Sequence, residues 1–284
     1  MKYTRHIIIY ITRRRLKIYH YTDLNGLKGI LERKCFWATH YSFLNDSQEI
    51  EHGIRCINNT LDHINGELSA ELVKTLRETV RFFKESSSKH AYNISFCLEP
   101  DLLSMWRGYG NTQKVSLEFD NFDLFSAADS TNKIIYDKKV IYTEENSTTD
   151  AMAEIIEFFK REHVLTALEK GGVDELLQAI TFAQLLPPFF KNKHFSEEQE
   201  YRYVIYAENK LNDVKIRTSD KKVTPYLELK MHEKSTFAGC LPLKGVKIGP
   251  GQNSDELKKG IQFMLDVYGF KDVKITTSEV SYRS

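Results

Sequence analysis

The sequence predicts an α+β fold built on a mixed, mainly antiparallel central sheet with a helical insertion. Strand-like and helix-like stretches follow one another without strict alternation, which disfavours a doubly wound parallel sheet. Several strand candidates alternate apolar and polar residues, as expected where one sheet face is buried and the other is polar. Helical periodicity is concentrated in two long stretches, at about 46–87 and 150–186.

Leu16 to Tyr21 alternates and is rich in β-formers, so it opens the sheet. Thr22 stands where a helix N-cap belongs, with Leu24, Leu27, Ile30 and Leu31 on one apolar face behind it. Cys35 to Thr39 reads as a second short strand, and Asp46 to Ser87 as two helical pieces broken near Asn65-Gly66. Tyr92 to Leu98 is a strand, Leu102 to Tyr109 a short helix, and Lys114 to Phe119 an alternating strand. Ile134 to Tyr142 is strand-like, and the helical stretch Asp150 to Leu186 stops at Pro187-Pro188. Strands at Tyr201 to Ala207, Tyr226 to Leu229 and Val246 to Ile248 follow. A helix from Ser254 to Tyr268 and a strand from Val273 to Thr277 complete the chain. No repeat or Pro-rich linker divides it. Residues 1–15 read as a basic extension or edge strand, and 16–284 as a single domain.

Composition narrows the function classes. The 284 residues are 41% hydrophobic, enough for a real core, and carry 40 basic against 39 acidic side chains. A net charge of +1 gives no whole-molecule case for nucleic acid or a membrane surface. No apolar run approaches the roughly 20 residues that cross a bilayer. The run Ile7 to Ile11 meets Arg13, Arg14 and Arg15 where a signal-peptide cleavage site would sit, so the expected location is cytoplasmic. Those arginines and Lys17 read as a solvated tail or as a contact for nucleic acid or anionic lipid. Cys35, Cys56, Cys97 and Cys240 are scattered, with no CxxC and no zinc-ligand spacing, which predicts reduced thiols and no metal site.

Five segments carry polar groups that chemistry could use. Tyr19-His20-Tyr21-Thr22 ends a strand beside a helix start, where an imidazole can bond a ligand hydroxyl or simply satisfy the sheet edge. Phe36 to Thr39 runs into Phe43 to Asp46. There Trp37 and Phe43 read as core, Asn45 or Asp46 as a helix cap or a ligand contact, and Tyr41 as a stacking surface. Ser95-Phe96 on a central strand precedes Ser104 to Gly110, in which Trp106 reads as core and Arg107 and Tyr109 as cleft residues. In Phe195 to Arg202, period-two alternation places Glu198, Glu200 and Arg202 on one side. Acids so close need a cation, which Arg202 or Lys193 can supply. Val246 to Gly251 ends in a tight turn and lacks the Rossmann and P-loop glycine patterns.

Together and in order, these segments resemble a bacterial family known as domain of unknown function 2971. The matching pieces are HYT (His20 to Thr22), FWAT before FLNDSQE (Phe43 to Glu49), and SF with SMWRGYG (Ser95 to Gly110). EEQEYR (Glu197 to Arg202), KIGPG (Lys247 to Gly251) and a final S-x-x-x-Y-R ending at Arg283 complete the set, so the resemblance spans roughly Ile18 to Arg283. A more distant resemblance is to the ADP-ribosyltransferase fold of NAD-using toxins. It implies NAD as substrate, His20 on the adenosine-side ribose, Tyr41 or Ser95 in the middle role, and Glu200 as catalytic acid with Glu198 upstream. The Ser-Thr-Ser triplet usual in that fold is absent, Asn93-Ile94-Ser95 standing nearest. Tyr21, Thr22, Asn45, Arg107, Tyr109, Arg202 and Arg283 would complete the binding set, with Arg107, Arg202 or Arg283 on the pyrophosphate. Such chemistry passes through an oxocarbenium-like centre that a fixed carboxylate stabilises, without a metal.

Three functions follow as expectations. The first is an NAD-dependent ADP-ribosyltransferase, as a toxin or anti-phage effector, acting on a protein or nucleic acid. The second is a non-catalytic module that binds a nucleotide or a protein. The third is a nuclease holding a divalent ion with Glu198, Glu200 and Asp46.

Overall fold

The computed structural model describes residues 14–44, 49–63, 70–85, 91–108, 113–144, 153, 186–207, 213–219, 222–251 and 254–280. The basic extension before residue 14 and nearly all of the predicted helical stretch 150–186 lie outside the described residues. The chain divides into two units. The larger comprises Arg15–Phe43, Ala91–Lys139 and Ser196–Ser284; the smaller comprises Met1–Arg14, Leu44–His90 and Val140–Phe195.

In chain order the strands are β1 (Lys17–Asp23), β2 (Cys35–His40), β3 (Ala91–Cys97), β4 (Lys114–Asp120), β5 (Lys133–Lys139) and β6 (Ile141–Thr143). After them come β7 (Phe190–Asn192), β8 (Glu200–Ala207), β9 (Lys215–Ser219), β10 (Lys222–Lys230), β11 (Gly245–Ile248) and β12 (Lys274–Thr277). The helices are α1 (Leu24–Arg33), α2 (Glu49–His63), α3 (Ala70–Glu85), α4 (Leu103–Arg107), α5 (Asn121–Ala127) and α6 (Ser254–Tyr268). The fold is therefore α+β, with a large, mixed and mostly antiparallel sheet, as the sequence predicts.

That sheet has two wings that meet on β3. One wing runs β12-β11-β4-β1 and the other runs β9-β10-β2, while β8 and then β5 lie on the far side of β3. Every pairing in it is antiparallel except β11 with β12. One face is the core. Ile18, Phe36, Phe96, Leu117, Tyr203 and Leu229 alternate onto it and pack with Leu27 and Leu31 of α1, Leu124 and Ala127 of α5, and Ile261 and Leu265 of α6. Buried Asn121 ties the layers together. Its side chain accepts from Leu16 N–H at 2.8 Å and donates to the Tyr201 hydroxyl at 3.1 Å, and its carbonyl accepts from the Tyr203 hydroxyl at 2.7 Å.

Local chemistry accounts for several boundaries. Asp23, not Thr22, caps α1, its side chain accepting from Gly26 N–H at 2.7 Å. Thr22 stays in the β1 ladder opposite Val115. Helix α5, absent from the sequence reading, starts on the Asp120 carboxylate, which accepts from the Phe122 and Asp123 N–H groups. Strand β10 begins four residues before Tyr226, because Pro225 sits in its β9-facing end, beyond the pairing with β2. The strand-like stretch to Tyr142 breaks at Val140 into β5 and β6. Arg15 and Lys17 are bonded to Asp120, Asp123 and Glu118 rather than left as a solvated tail. Phe43 is 42% exposed and Trp37 only half-buried, so neither is the core residue its type suggests.

In the smaller unit, β6 and β7 pair in parallel beside α2 and α3. Glu49 and Lys191 form a buried ion pair at 3.2 Å. His52 Nε2 lies 2.7 Å from the Thr143 hydroxyl, which the Cys56 thiol approaches to 3.2 Å. All four cysteines are free, and burial pushes the Cys56 thiol up from its ordinary value. Among the described residues no helix is long and apolar enough to cross a membrane.

Two glycines separate packing from propensity. A Cβ on Gly249 would meet the Trp106 ring at 2.8 Å, whereas one on Gly29, inside α1, meets nothing within 4 Å. Gly249→Ala should lose about 1–3 kcal/mol of stability by overpacking. Gly29→Ala should gain roughly 0.5–1 kcal/mol from helix propensity. Chemical denaturation of both variants checks the signs.

Candidate functional site

The site is built where the two wings part. On one side β3 pairs with β8 along its whole length, from Ala91↔Tyr206 to Cys97↔Glu200. On the other side β1 touches it only at Tyr19↔Cys97, and β2 only at Thr39↔Asn93 and His40↔Tyr92. Between those contacts Ser95 has a ladder partner on the β8 side alone. The Ser95 carbonyl has no ladder donor there, and His20 stands in for one, with Nδ1 3.0 Å from the Ser95 carbonyl oxygen. Since a carbonyl only accepts, Nδ1 carries the proton and Nε2 the lone pair. Burial holds the His20 pKa below its ordinary value against the pull of the Ser95 carbonyl, and the Arg217 charge lowers it further. The ring is thus neutral at pH 7, and Nε2 has no partner among the described residues. Ser95 is exposed although its strand is interior, so the polar sheet face is open to solvent there.

Opposite Ser95 stands Arg202, the largest fully buried side chain of the chain's described core. Its guanidinium grips Glu200 with two bonds of 2.7 Å and donates to the Tyr41 hydroxyl at 2.7 Å. The alternation of β8 legitimately puts Glu200 and Arg202 on one face, and Arg202 rather than Lys193 is the compensating cation. Lys193 pairs with Glu144 in the smaller unit. Glu198 does not share the strand's alternation, because it ends a 3₁₀ turn (Lys193–Glu198) and Gln199, at φ 42°, swings the chain before β8 starts. Tyr41 is 3% exposed, so its ring is packed rather than offered for stacking. Registers place Glu200, Arg202, Ser95 and Asn93 on the polar face. The His20 ring turns toward the core side, against Phe36 at 5.2 Å and Phe96 at 5.5 Å, and keeps partial exposure, whereas the Glu200 side chain lies on the polar face.

Other expected ligand residues have structural partners or lie elsewhere. The Tyr21 hydroxyl donates to the Glu99 carbonyl at 2.9 Å and accepts from Leu102 N–H at 3.0 Å, with its ring against Trp106. Thr22 is held in β1, and Arg107 is exposed at the end of α4. Asn45, Asp46, Tyr109 and Arg283 lie outside the described residues. The motif segments around Trp106, Lys247 and Ser278 converge on one carboxylate. Asp101 accepts from Trp106 Nε1 at 2.7 Å, Ser278 Oγ at 2.5 Å, Glu279 N–H at 2.9 Å and Lys247 Nζ at 3.4 Å. Burial raises the Asp101 pKa, but these donors outweigh it and hold the group below its ordinary value. Within the described residues, KIGPG packs against Trp106 of SMWRGYG, whose ring a Cβ on Gly249 would meet at 2.8 Å.

Sequence reasoning missed the polar face beyond the gap. Asn93 donates to Ser95 Oγ at 2.8 Å while its own Oδ1 is buried without a partner. Arg217 of β9 donates to Thr39 Oγ1 at 2.8 Å and lies 6.0 Å over the Trp37 ring. Only the alternation of Lys215 to Ser219 hinted that Arg217 would face this side. Among the described residues, no group of three His, Cys, Asp or Glu side chains is placed to hold a metal ion.

A family described as a protein of unknown function (DUF2971) matches residues 105–203, roughly a third of the chain. That span holds Arg107, Glu198, Glu200 and Arg202 and leaves out His20, Tyr41 and Ser95. No curated protein and no solved structure matches the chain.

The tautomer and charge of His20 are directly observable. Nitrogen-15 NMR at pH 7 should show His20 protonated at Nδ1 alone, with a midpoint below the ordinary 6.5. As pH falls through 6.5 the unfolded chain takes up a proton that folded His20 refuses, so this residue's contribution to stability declines on acidification. A midpoint above 6.5, or an Nε2-protonated ring, overturns the assignment.

Proposed function

We propose that the chain is an NAD-dependent ADP-ribosyltransferase that holds the dinucleotide over the exposed Ser95 and transfers ADP-ribose to a protein or nucleic acid. The observation that carries this reading is the opening at Ser95, an exposed serine in an interior strand beside an imidazole lone pair. His20 Nε2 suits a ribose hydroxyl, which donates to a neutral ring nitrogen. Glu200 supplies the carboxylate, and Arg202 is a positioning residue that fixes it and the Tyr41 hydroxyl together. This reading requires a ligand that lies across the gap in the ladder, with one ribose at His20 and the other on the Glu200 side.

In the reaction the bond between ribose C1′ and the nicotinamide nitrogen breaks, and its electron pair leaves with neutral nicotinamide. The electron-poor C1′ then takes the lone pair of the acceptor, whose proton is released. A preorganised carboxylate facing that carbon is worth about 3–4 kcal/mol of barrier. A toxin or anti-phage role follows from the same chemistry if the acceptor is essential to a cell or a phage.

A second reading, a non-catalytic nucleotide- or protein-binding module, is favoured by one observation: both Glu200 oxygens are engaged by Arg202. Purified protein, labelled NAD and a cell lysate separate the two. The transferase reading expects label on a macromolecule and a loss of roughly 10²–10³-fold in Glu200→Gln, with the fold checked by circular dichroism. Ser95→Trp, at an exposed position, should block NAD binding without unfolding the chain. Full transfer by Glu200→Gln removes the assigned acid, and NAD binding by calorimetry with no transfer establishes the binding module.

A further inference from the structure

We infer that Arg217, held by Thr39 and Trp37 on the polar face, is a subsite for a phosphate group carried by the ligand held over Ser95. This deepens the dinucleotide reading and in part rests on it. The guanidinium has five N–H donors, and one of them reaches Thr39 Oγ1. No carboxylate among the described residues pairs with it. Its neighbours are already compensated. Glu228 is shared by Arg33 at 3.4 Å, Lys215 at 2.8 Å and Lys230 at 4.0 Å, so four cations stand along this part of the sheet against one carboxylate. A half-buried guanidinium without an anion is costly unless a ligand supplies one.

The placement is that of a ligand subsite. Thr39 is the register partner of Asn93, whose buried Oδ1 has no partner and whose amide bonds Ser95. Arg217, Thr39, Asn93 and Ser95 therefore form one polar track that leads from the exposed Ser95 toward the edge of the sheet. Thr39 fixes one corner of the guanidinium and the Trp37 ring lies against it, leaving a planar fork suited to two phosphate oxygens. Burial lowers the Arg217 pKa, with the Tyr226 hydroxyl acting in the opposite direction, and the group remains charged at neutral pH.

Calorimetric titration with pyrophosphate, AMP and adenosine, at low salt, tests the subsite and separates free from nucleoside-bound phosphate. Wild-type protein should bind AMP well above adenosine. Arg217→Ala should weaken AMP and pyrophosphate by about 10- to 100-fold while adenosine is unchanged. Arg217→Lys should recover part of the loss, since it keeps the charge without the fork. Arg217→Gln, which can still donate to Thr39, serves if the alanine variant melts early, and should lose the phosphate preference as fully. Affinities in both Arg217→Ala and Arg217→Gln within twofold of wild type overturn the proposal, as does wild-type protein that binds neither phosphate compound. Phosphate binding lost in these variants, without any NAD turnover by wild type, sustains the subsite and removes the transferase reading. NAD turnover unaffected by Arg217→Ala does the reverse.

Discussion

Strand β3 cannot lend one edge to two neighbours along its full length, and the molecule is arranged around that limit. Both β1 and β2 reach the same edge of β3, at opposite ends, because α1 carries the chain across between them. A ladder that stopped there would leave the Ser95 carbonyl without a protein donor, although nearly all backbone carbonyls in sheets are paired. The imidazole of His20 closes the gap with a side-chain bond in place of a backbone one. This substitution leaves the second ring nitrogen without a partner among the described residues. A topological necessity thus places chemically useful groups at the middle of the sheet.

Charge organises the rest of the polar face. Arg202 is 1% exposed and Glu200 5%, a depth at which either ion alone would be strongly unfavourable and the pair is held by good geometry. The same guanidinium reaches Tyr41 just after β2, so one buried cation links β8 to the start of the loop beyond the fork. Asp101 does comparable work at the other wing, gathering α4, β11 and the segment after β12 onto one carboxylate. On the wing away from Asp101, the Asn93 Oδ1 is buried without a partner, and Arg217 donates to Thr39.

Much of the architecture was legible because it is local. Alternation marked β4 and β8, apolar periodicity marked α1 and α6, and the spacing of Glu200 and Arg202 announced a same-face pair. What escaped was either short or non-local. Helix α5 spans only seven residues, though its Asp120 cap was there to be read. Strand β9 carries Ile216 in the open, so it lacks the apolar signature of a buried strand. Trp37 was misjudged because a large aromatic can serve as a platform for guanidinium groups as well as a core filler. The gap at Ser95 has no local signature at all. It arises from pairings between strands more than fifty residues apart in sequence, and periodicity carries no information about which strands will meet.

The slender attachment of the β2-β10-β9 wing has a mechanical consequence. It is joined to β3 by two residue pairs, while Phe36, Ala38, Leu227 and Leu229 root it in the apolar layer. Breathing at that junction would part few backbone bonds, so the wing is the segment whose amides should exchange ahead of those in β8 and β4. The apolar residues beneath it hold the wing in place where the ladder contributes little.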